Sequence, residues 1–210
     1  MAGLVITIAQ RKGGAGKTTL AAQLAVTWAQ SGARVAVLDI DPQGSLAAWV
    51  ELRRARLGAN AVGFDFAALP GWRAASWIEE QARRTDLIVI DNPPHAETEA
   101  QIAVRAAGLV IIPVQPSPLD LWATEATLKM VRDERRRALV VLNRVPPRST
   151  LTDHVAAELA RSGAPVAATR IGNRIALVRA MMSGLGVVES EGASQAAAEI
   201  TAFADEVRQQ

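Results

Sequence analysis

Cysteine is absent from the 210 residues, and so is tyrosine. The first absence excludes disulfide scaffolds, thiolate zinc sites, iron–sulfur clusters and cysteine nucleophiles. Two histidines, His95 and His154, leave little for an imidazole metal site. Five Trp and three Phe are thin material for the stacking surfaces that read single-stranded nucleic acid. No apolar run approaches the roughly 20 residues that span a bilayer. Residues 1–10 place no basic segment ahead of an apolar stretch, so a secretory signal is not expected and the cytoplasm is the default compartment. Lysine is scarce too: among 23 basic residues only Lys12, Lys17 and Lys129 are lysines. What is present is ordinary globular composition, 50% apolar and 21% charged, which excludes global disorder. The length suits one domain over residues 1–210.

The net charge of +2 hides a segregation. Residues 1–128 sum to −1, residues 129–188 to +7, and residues 189–210 to −4. Two readings of the basic segment stand side by side. It suits a binder of phosphate backbones, and it equally suits arginines on solvated helix faces.

Apolar runs alternate with helical stretches along the chain. Gly3–Ala9, Arg34–Leu38, Leu87–Ile90, Leu109–Val114 and Ala138–Leu142 read as buried strands, with further strands at Ala61–Phe66 and Val166–Thr169. Helices are predicted over Lys17–Gln30, Gly44–Leu57, Trp72–Arg84, Glu97–Arg105, Leu119–Glu134, Leu151–Ser162, Arg174–Ser183 and Ala193–Gln209. Strands apolar on both faces predict an α/β fold, a mostly parallel sheet sandwiched by helices. Ligands of such sheets bind at the carboxyl ends of strands. Asp39, Asp41, Asp91, the Pro116–Pro118 loop and Asn143 all fall at such ends.

So does the most informative segment, Gln10-Arg11-Lys12-Gly13-Gly14-Ala15-Gly16-Lys17-Thr18-Thr19, between the first strand and the first helix. A glycine-rich loop there turns backbone N–H groups toward one point, and the helix amino end adds a positive dipole. Lys17 is placed to reach the β- and γ-phosphates of a nucleotide, and Thr18 to offer its hydroxyl to Mg²⁺. The first glycine of the common P-loop pattern is replaced by Arg11, and Lys12 adds a second lysine at the loop mouth. Lys12 either contributes a general field for anions or points away from its own nucleotide toward another subunit's.

Lys12–Thr19 resembles the deviant Walker A motif of the ParA/MinD ATPases, whose signature is the early lysine. Asp39-Ile40-Asp41-Pro42-Gln43-Gly44 is similar to their second motif, and Leu87–Asp91 with Asn92-Pro93-Pro94 to their Walker B. Ile112–Asp120 is similar to the proline-rich stretch of the small, ParF-like partition ATPases, and Val141-Leu142-Asn143-Arg144 to the adenine-side motif. The resemblance covers residues 3–145 in order and spacing. It implies a P-loop fold and a slow ATPase with ATP and Mg²⁺ as cofactors. It also implies nucleotide contacts from Gly13 through Thr19 and Asn143, and a metal shell of Thr18, Asp39 and Asp91, partly through water. Asp41 would orient the attacking water. Lys12 and Lys17 would act on the phosphates, with Lys12 reaching across an ATP-bound homodimer.

The same resemblance implies non-specific binding to duplex DNA and a ParB-like or other adaptor that stimulates hydrolysis. The cycle would segregate a plasmid or chromosome from a nucleoid-associated position. The alternatives are a protein cargo, such as a chemoreceptor cluster or carboxysome, and an ATP-gated protein switch without DNA. Candidate DNA contacts are Arg135, Arg136, Arg170, Arg174 and Arg179. The last 22 residues, at −4, argue against a basic membrane-targeting tail.

Overall fold

The computed structural model describes residues 3–94 and 97–210. Its centre is a seven-stranded sheet of order β3-β2-β4-β1-β5-β6-β7, in which every paired neighbour runs parallel. The strands are β1 (Leu4–Ile8), β2 (Val35–Asp39), β3 (Asp65–Ala68), β4 (Leu87–Asp91), β5 (Leu109–Val114), β6 (Arg137–Val145) and β7 (Val166–Gly172). The helices are α1 (Lys17–Gln30), α2 (Ser45–Leu57), α3 (Ala74–Gln81), α4 (Glu97–Ala106), α5 (Pro118–Asp133), α6 (Thr150–Arg161), α7 (Ile175–Met182), α8 (Val187–Ser190) and α9 (Gln195–Arg208).

Side chains alternate across each strand, and the two sets feed one core cluster on one face of the sheet and two on the other. Ile6, Ile8, Val37 and Val89 face α1, α2 and α7–α9. Val110, Ile112, Val140 and Leu142 face α5 and α6, while Leu38, Ile88 and Ile90 face α3 and α4. Helix α1 is held deepest: Leu20, Leu24, Ala25 and Trp28 are buried, and Trp28 Nε1 donates to the Ala204 carbonyl at 3.2 Å. That interior position fixes the loop that leads into the helix.

Four local readings are corrected. The third strand lies at Asp65–Ala68 rather than Ala61–Phe66, because a 3₁₀ turn at Ala59–Ala61 and Gly63 at φ +89° keep the chain turning before it can extend. The helix expected from Trp72 begins at Ala74, after a 3₁₀ turn that follows Pro70, and ends at Gln81. Helix α2 begins at Ser45 rather than Gly44, and Gly44 holds the cap position in a left-handed conformation. Strand β6 runs on to Val145 rather than stopping at Leu142, so Asn143 and Arg144 are strand residues.

Candidate active site

Helix α1 begins without a side-chain cap and without an acidic residue in its first turn. Its first-turn N–H groups and positive dipole end are therefore left for an anion. Helix α5 shows the contrast: there Ser117 accepts from Asp120 N, and Asp120 sits in the first turn. Gly16 is required at the α1 cap twice over. Its φ is +95°, and a Cβ there would stand 2.4 Å from Asn143 Nδ2.

The two loop lysines point to different places. Lys17 is buried and donates to the Gln10 carbonyl at 3.1 Å, within the loop's own entrance. Burial lowers its pKa, against the charges of Asp91 and Asp41. Lys12 turns outward and pairs with Asp120 at the start of α5. Asp120 is 1% exposed and is also bonded by the Ser117 hydroxyl. Gln115 Nε2 reaches back to the Gly14 carbonyl at 3.0 Å, so the segment after β5 forms one wall of the loop. Gln10 completes that wall through Thr124 and Thr127 of α5.

The acidic residues meet at the ends of adjacent strands. Asp39 and Asp91 are register partners across β2 and β4, and Ile8 of β1 is the partner of Asp91 on the other side. Two carboxylates side by side in a buried setting call for a cation. Burial pushes Asp91 up to about 7; the charges of Asp39 and Asp41 act in the same direction, while the Thr18 hydroxyl and Lys17 oppose it. Thr18 Oγ1 donates to Asp91 Oδ2 at 2.7 Å, and Asp91 Oδ1 is buried with no partner. That orphaned oxygen fits a hydrated Mg²⁺, which binds through few carboxylates and keeps its waters. Among the described residues no cluster of three or more His, Asp or Glu forms a ready cage. Such an ion would therefore rely on nucleotide oxygens and water.

Asp39 has a second occupation. Its oxygens accept from Asp41 N at 3.0 Å and Ala47 N at 2.9 Å, so it holds the β2–α2 turn that carries Asp41. Burial raises its pKa as well. Asp41 is partly exposed, and its Oδ1 accepts from Gln43 N at 2.9 Å. The two aspartates thus diverge, one braced within the turn and one set at its surface.

Asn143 likewise supports the loop. Its Nδ2 donates to the Ala15 carbonyl at 2.8 Å, and its Oδ1 accepts from Arg144 N at 2.9 Å. Beside it lies a cavity of about 260 Å³ whose lining includes Thr19, Asn143, Asn173, Leu177 and Met181. Apolar walls with a few amides, edged by Arg144 and Arg174, suit a planar base.

The sequence profile described as the CobQ/CobB/MinD/ParA nucleotide binding domain matches residues 6–187. The chain belongs to this family. The maintenance of carboxysome distribution protein A of Halothiobacillus neapolitanus is 31% identical over 211 residues, covering 96% of this chain and 95% of that protein. Its namesake in Gloeobacter kilaueensis is 35% identical over 209 residues, covering 97% and 93%. The fold is shared with apo McdA of Cyanothece, at TM-score 0.79 and 19% identity over 97% of this chain and 99% of that one. MinD of Pyrococcus horikoshii, complexed with Mg-ADP, superposes at TM-score 0.81 and 20% identity over 97% and 95%.

The candidate site residues come from distant parts of the chain. Gly13 to Thr19, Asp39, Asp41, Asp91 and Asn143 all stand at the carboxyl edge of the sheet. The candidate DNA arginines do not form one group. Arg135 and Arg136 precede β6 at the opposite, amino edge, and Arg135 adopts φ +53°. Arg170 lies near the carboxyl end of β7 and pairs with Asp153 at 2.7 Å. Arg174 is held by Glu199 at 2.6 Å, and Arg179 is 70% exposed. His95 falls outside the described residues. Sequence reasoning gave no role to Gln10, Gln115, Asp120, Arg148 or Thr152. Ser117 followed by Asp120 in a helix-opening pattern was the one local signal for that wall.

No helix among the described residues is long and apolar enough to cross a membrane.

Proposed function

We propose that this chain is an ATP-driven positioning protein whose ATP-bound homodimer holds DNA non-specifically while a partner protein triggers hydrolysis. The observation that carries this reading is the divergence of the two lysines. Lys17 serves its own loop, and Lys12 is turned out of it onto Asp120, where a second subunit's nucleotide can draw it away. ATP with Mg²⁺ supplies the reacting phosphate and neutralises its charge. Gly13 to Gly16 and the open amino end of α1 hold the phosphates, Thr18 and Asp91 serve the metal, and Asp41 faces the attacking water. Asp39 holds Asp41 in place through the turn. The described site residues offer no strong base, which fits slow turnover set by partner and dimer. Binding that is tighter in the dimer than in the monomer makes nucleotide state an assembly switch.

The full-length likeness to two carboxysome-distribution proteins favours a protein assembly as cargo. A plasmid or chromosome is the second reading, supported by 30% identity to the chromosome-partitioning ATPase Soj of Thermus thermophilus over 96% of this chain. Either cargo requires an adaptor protein, and nucleoid association follows from the DNA step.

A gel shift on arbitrary duplex DNA with ATP, ADP or no nucleotide tests the cycle. The expected result is a shift with ATP alone, weakening with salt along a log–log slope of about −4 to −5 for roughly five neutralised phosphates. No ATP-dependent shift at low salt would leave a protein-interaction switch without DNA.

A further inference from the structure

We propose that the amino end of α6 is a seat for a backbone phosphate of duplex DNA, built by Arg148, Ser149, Thr150, Thr152 and Arg170. This rests on the DNA-binding reading above and locates it. These residues line a cavity of about 370 Å³ at the carboxyl edge of β6 and β7, with Val145 and Pro146 as its apolar wall.

Three observations converge there. Helix α6 spans 12 residues, and Ser149 at its cap position makes no side-chain bond to the first turn. The N–H groups of Thr150 and Leu151 thus remain for an anion, while Thr152 N donates to the Ser149 carbonyl at 3.4 Å and Asp153 stands in the same first turn. The second observation is independent. Thr152, the third residue of the helix, is 2% exposed, and its Oγ1 has no hydrogen-bond partner. The other buried threonines, Thr7, Thr27, Thr85, Thr124 and Thr127, all bond a carbonyl. A lone orphaned hydroxyl in the lining of a cavity is a group awaiting an acceptor or donor from outside. The third is the pair of guanidinium groups. Arg148 is exposed and makes no ion pair among the described residues. Arg170 is held by Asp153, whose carboxylate also lines the cavity. An entering phosphate competes with Asp153 for Arg170, so the seat exchanges one anion for another.

The source of the phosphate follows from the surroundings. The cavity lies within the +7 segment of residues 129–188. A free phosphate meets only this seat, whereas a duplex also meets other exposed arginines of the segment. The polyanion is therefore favoured.

Fluorescence anisotropy with an arbitrary duplex and ATP, repeated across salt, decides it. The wild type is compared with Thr152→Val, Thr152→Ser and Arg148→Ala. Arg148→Ala is expected to weaken DNA about tenfold and to make the salt slope shallower by about one. Thr152→Val should weaken it by about three- to tenfold while its Tm stays level or rises, since the lost hydroxyl bonds nothing within the protein. Thr152→Ser should retain wild-type affinity. If the wild type binds DNA and all three variants match it, the seat is wrong and the DNA reading stands. If the wild type binds no DNA, both fall. Inorganic phosphate alone, titrated calorimetrically, is the other arm. Binding that Thr152→Val abolishes, with DNA affinity untouched, would assign the seat to free phosphate and overturn the DNA claim.

Discussion

The two edges of the sheet are built on opposite terms. At the amino edge, polar groups are paired among themselves. Arg34 bonds Asp86 through its backbone N–H, Nε and Nη2. Glu134 accepts from Gln101 and from two nitrogens of Arg105. At the carboxyl edge, several buried polar groups are left incomplete. Asp91 Oδ1, both amide atoms of Asn92, Asp120 Oδ1 and Thr152 Oγ1 are buried without partners, and among the described residues only Trp49 Nε1 joins them. Buried groups of that kind cost about 1–3 kcal/mol each unless something completes them. The amino edge stabilises a fold. The carboxyl edge is completed by what it binds.

The largest effect is expected from breaking the outward lysine. Lys12→Ala should retain nucleotide binding and lose ATP-dependent dimerisation and hydrolysis, read by sedimentation and turnover. It also strands the buried Asp120 carboxylate, so stability should fall by roughly 1–3 kcal/mol, a figure reduced from that of a fully buried pair because Lys12 is 35% exposed. Adding Asp120→Asn should recover the stability and leave the dimer lost. A double variant that dimerises with ATP would show that Lys12 acts only on its own α5.

Asp91→Asn sharpens the same comparison from the metal side. Asp91 titrates at about 7 in the fold against 3.8 as its ordinary value. The native protein without nucleotide or metal therefore holds the proton more tightly than the unfolded chain. This group's contribution to stability is full below about pH 4 and is lost as pH rises through about 7. Asp91→Asn removes that loss, so at pH 8 the nucleotide-free variant should be more stable by up to about 4 kcal/mol. Turnover with Mg²⁺ and ATP should disappear. Equal stability of variant and wild type at pH 8 would mean that Asp91 ionises without penalty.

Much of this was legible in the sequence, for a physical reason. The phosphate loop, Asp39, Asp91 and Asn143 follow apolar strands closely, and local spacing is enough to place a residue at a strand's end. The parallel sheet was equally open to reading, since strands such as Val35–Asp39 are buried on both faces. What escaped is contact across sequence distance. Asp120 lies 108 residues from Lys12, and Asn143 lies 128 from Ala15. Arg135 and Arg170 share a basic segment on paper yet stand at opposite edges, because one precedes β6 and the other lies near the carboxyl end of β7. A charge count has no sense of strand direction.

The smallest effect should come from the amino edge, and its smallness is the test. Arg34 holds Asp86 down to about 2, through the side-chain hydrogen bond first and then the backbone one. A depressed carboxylate stabilises the fold above its ordinary value near 3.8 and ceases to do so as pH falls through about 2. The contribution is thus constant across neutral pH. Both side chains are well exposed, at 68% and 47%, where solvent screens the pair. Arg34→Ala should therefore leave ATP turnover, dimerisation and DNA affinity at wild-type values at pH 7, with any loss of Tm largest in low salt. A variant at this pair that altered turnover would break the division between the edges, since it would couple a completed polar group at one end of β2 to the Asp39–Asp41 turn at the other.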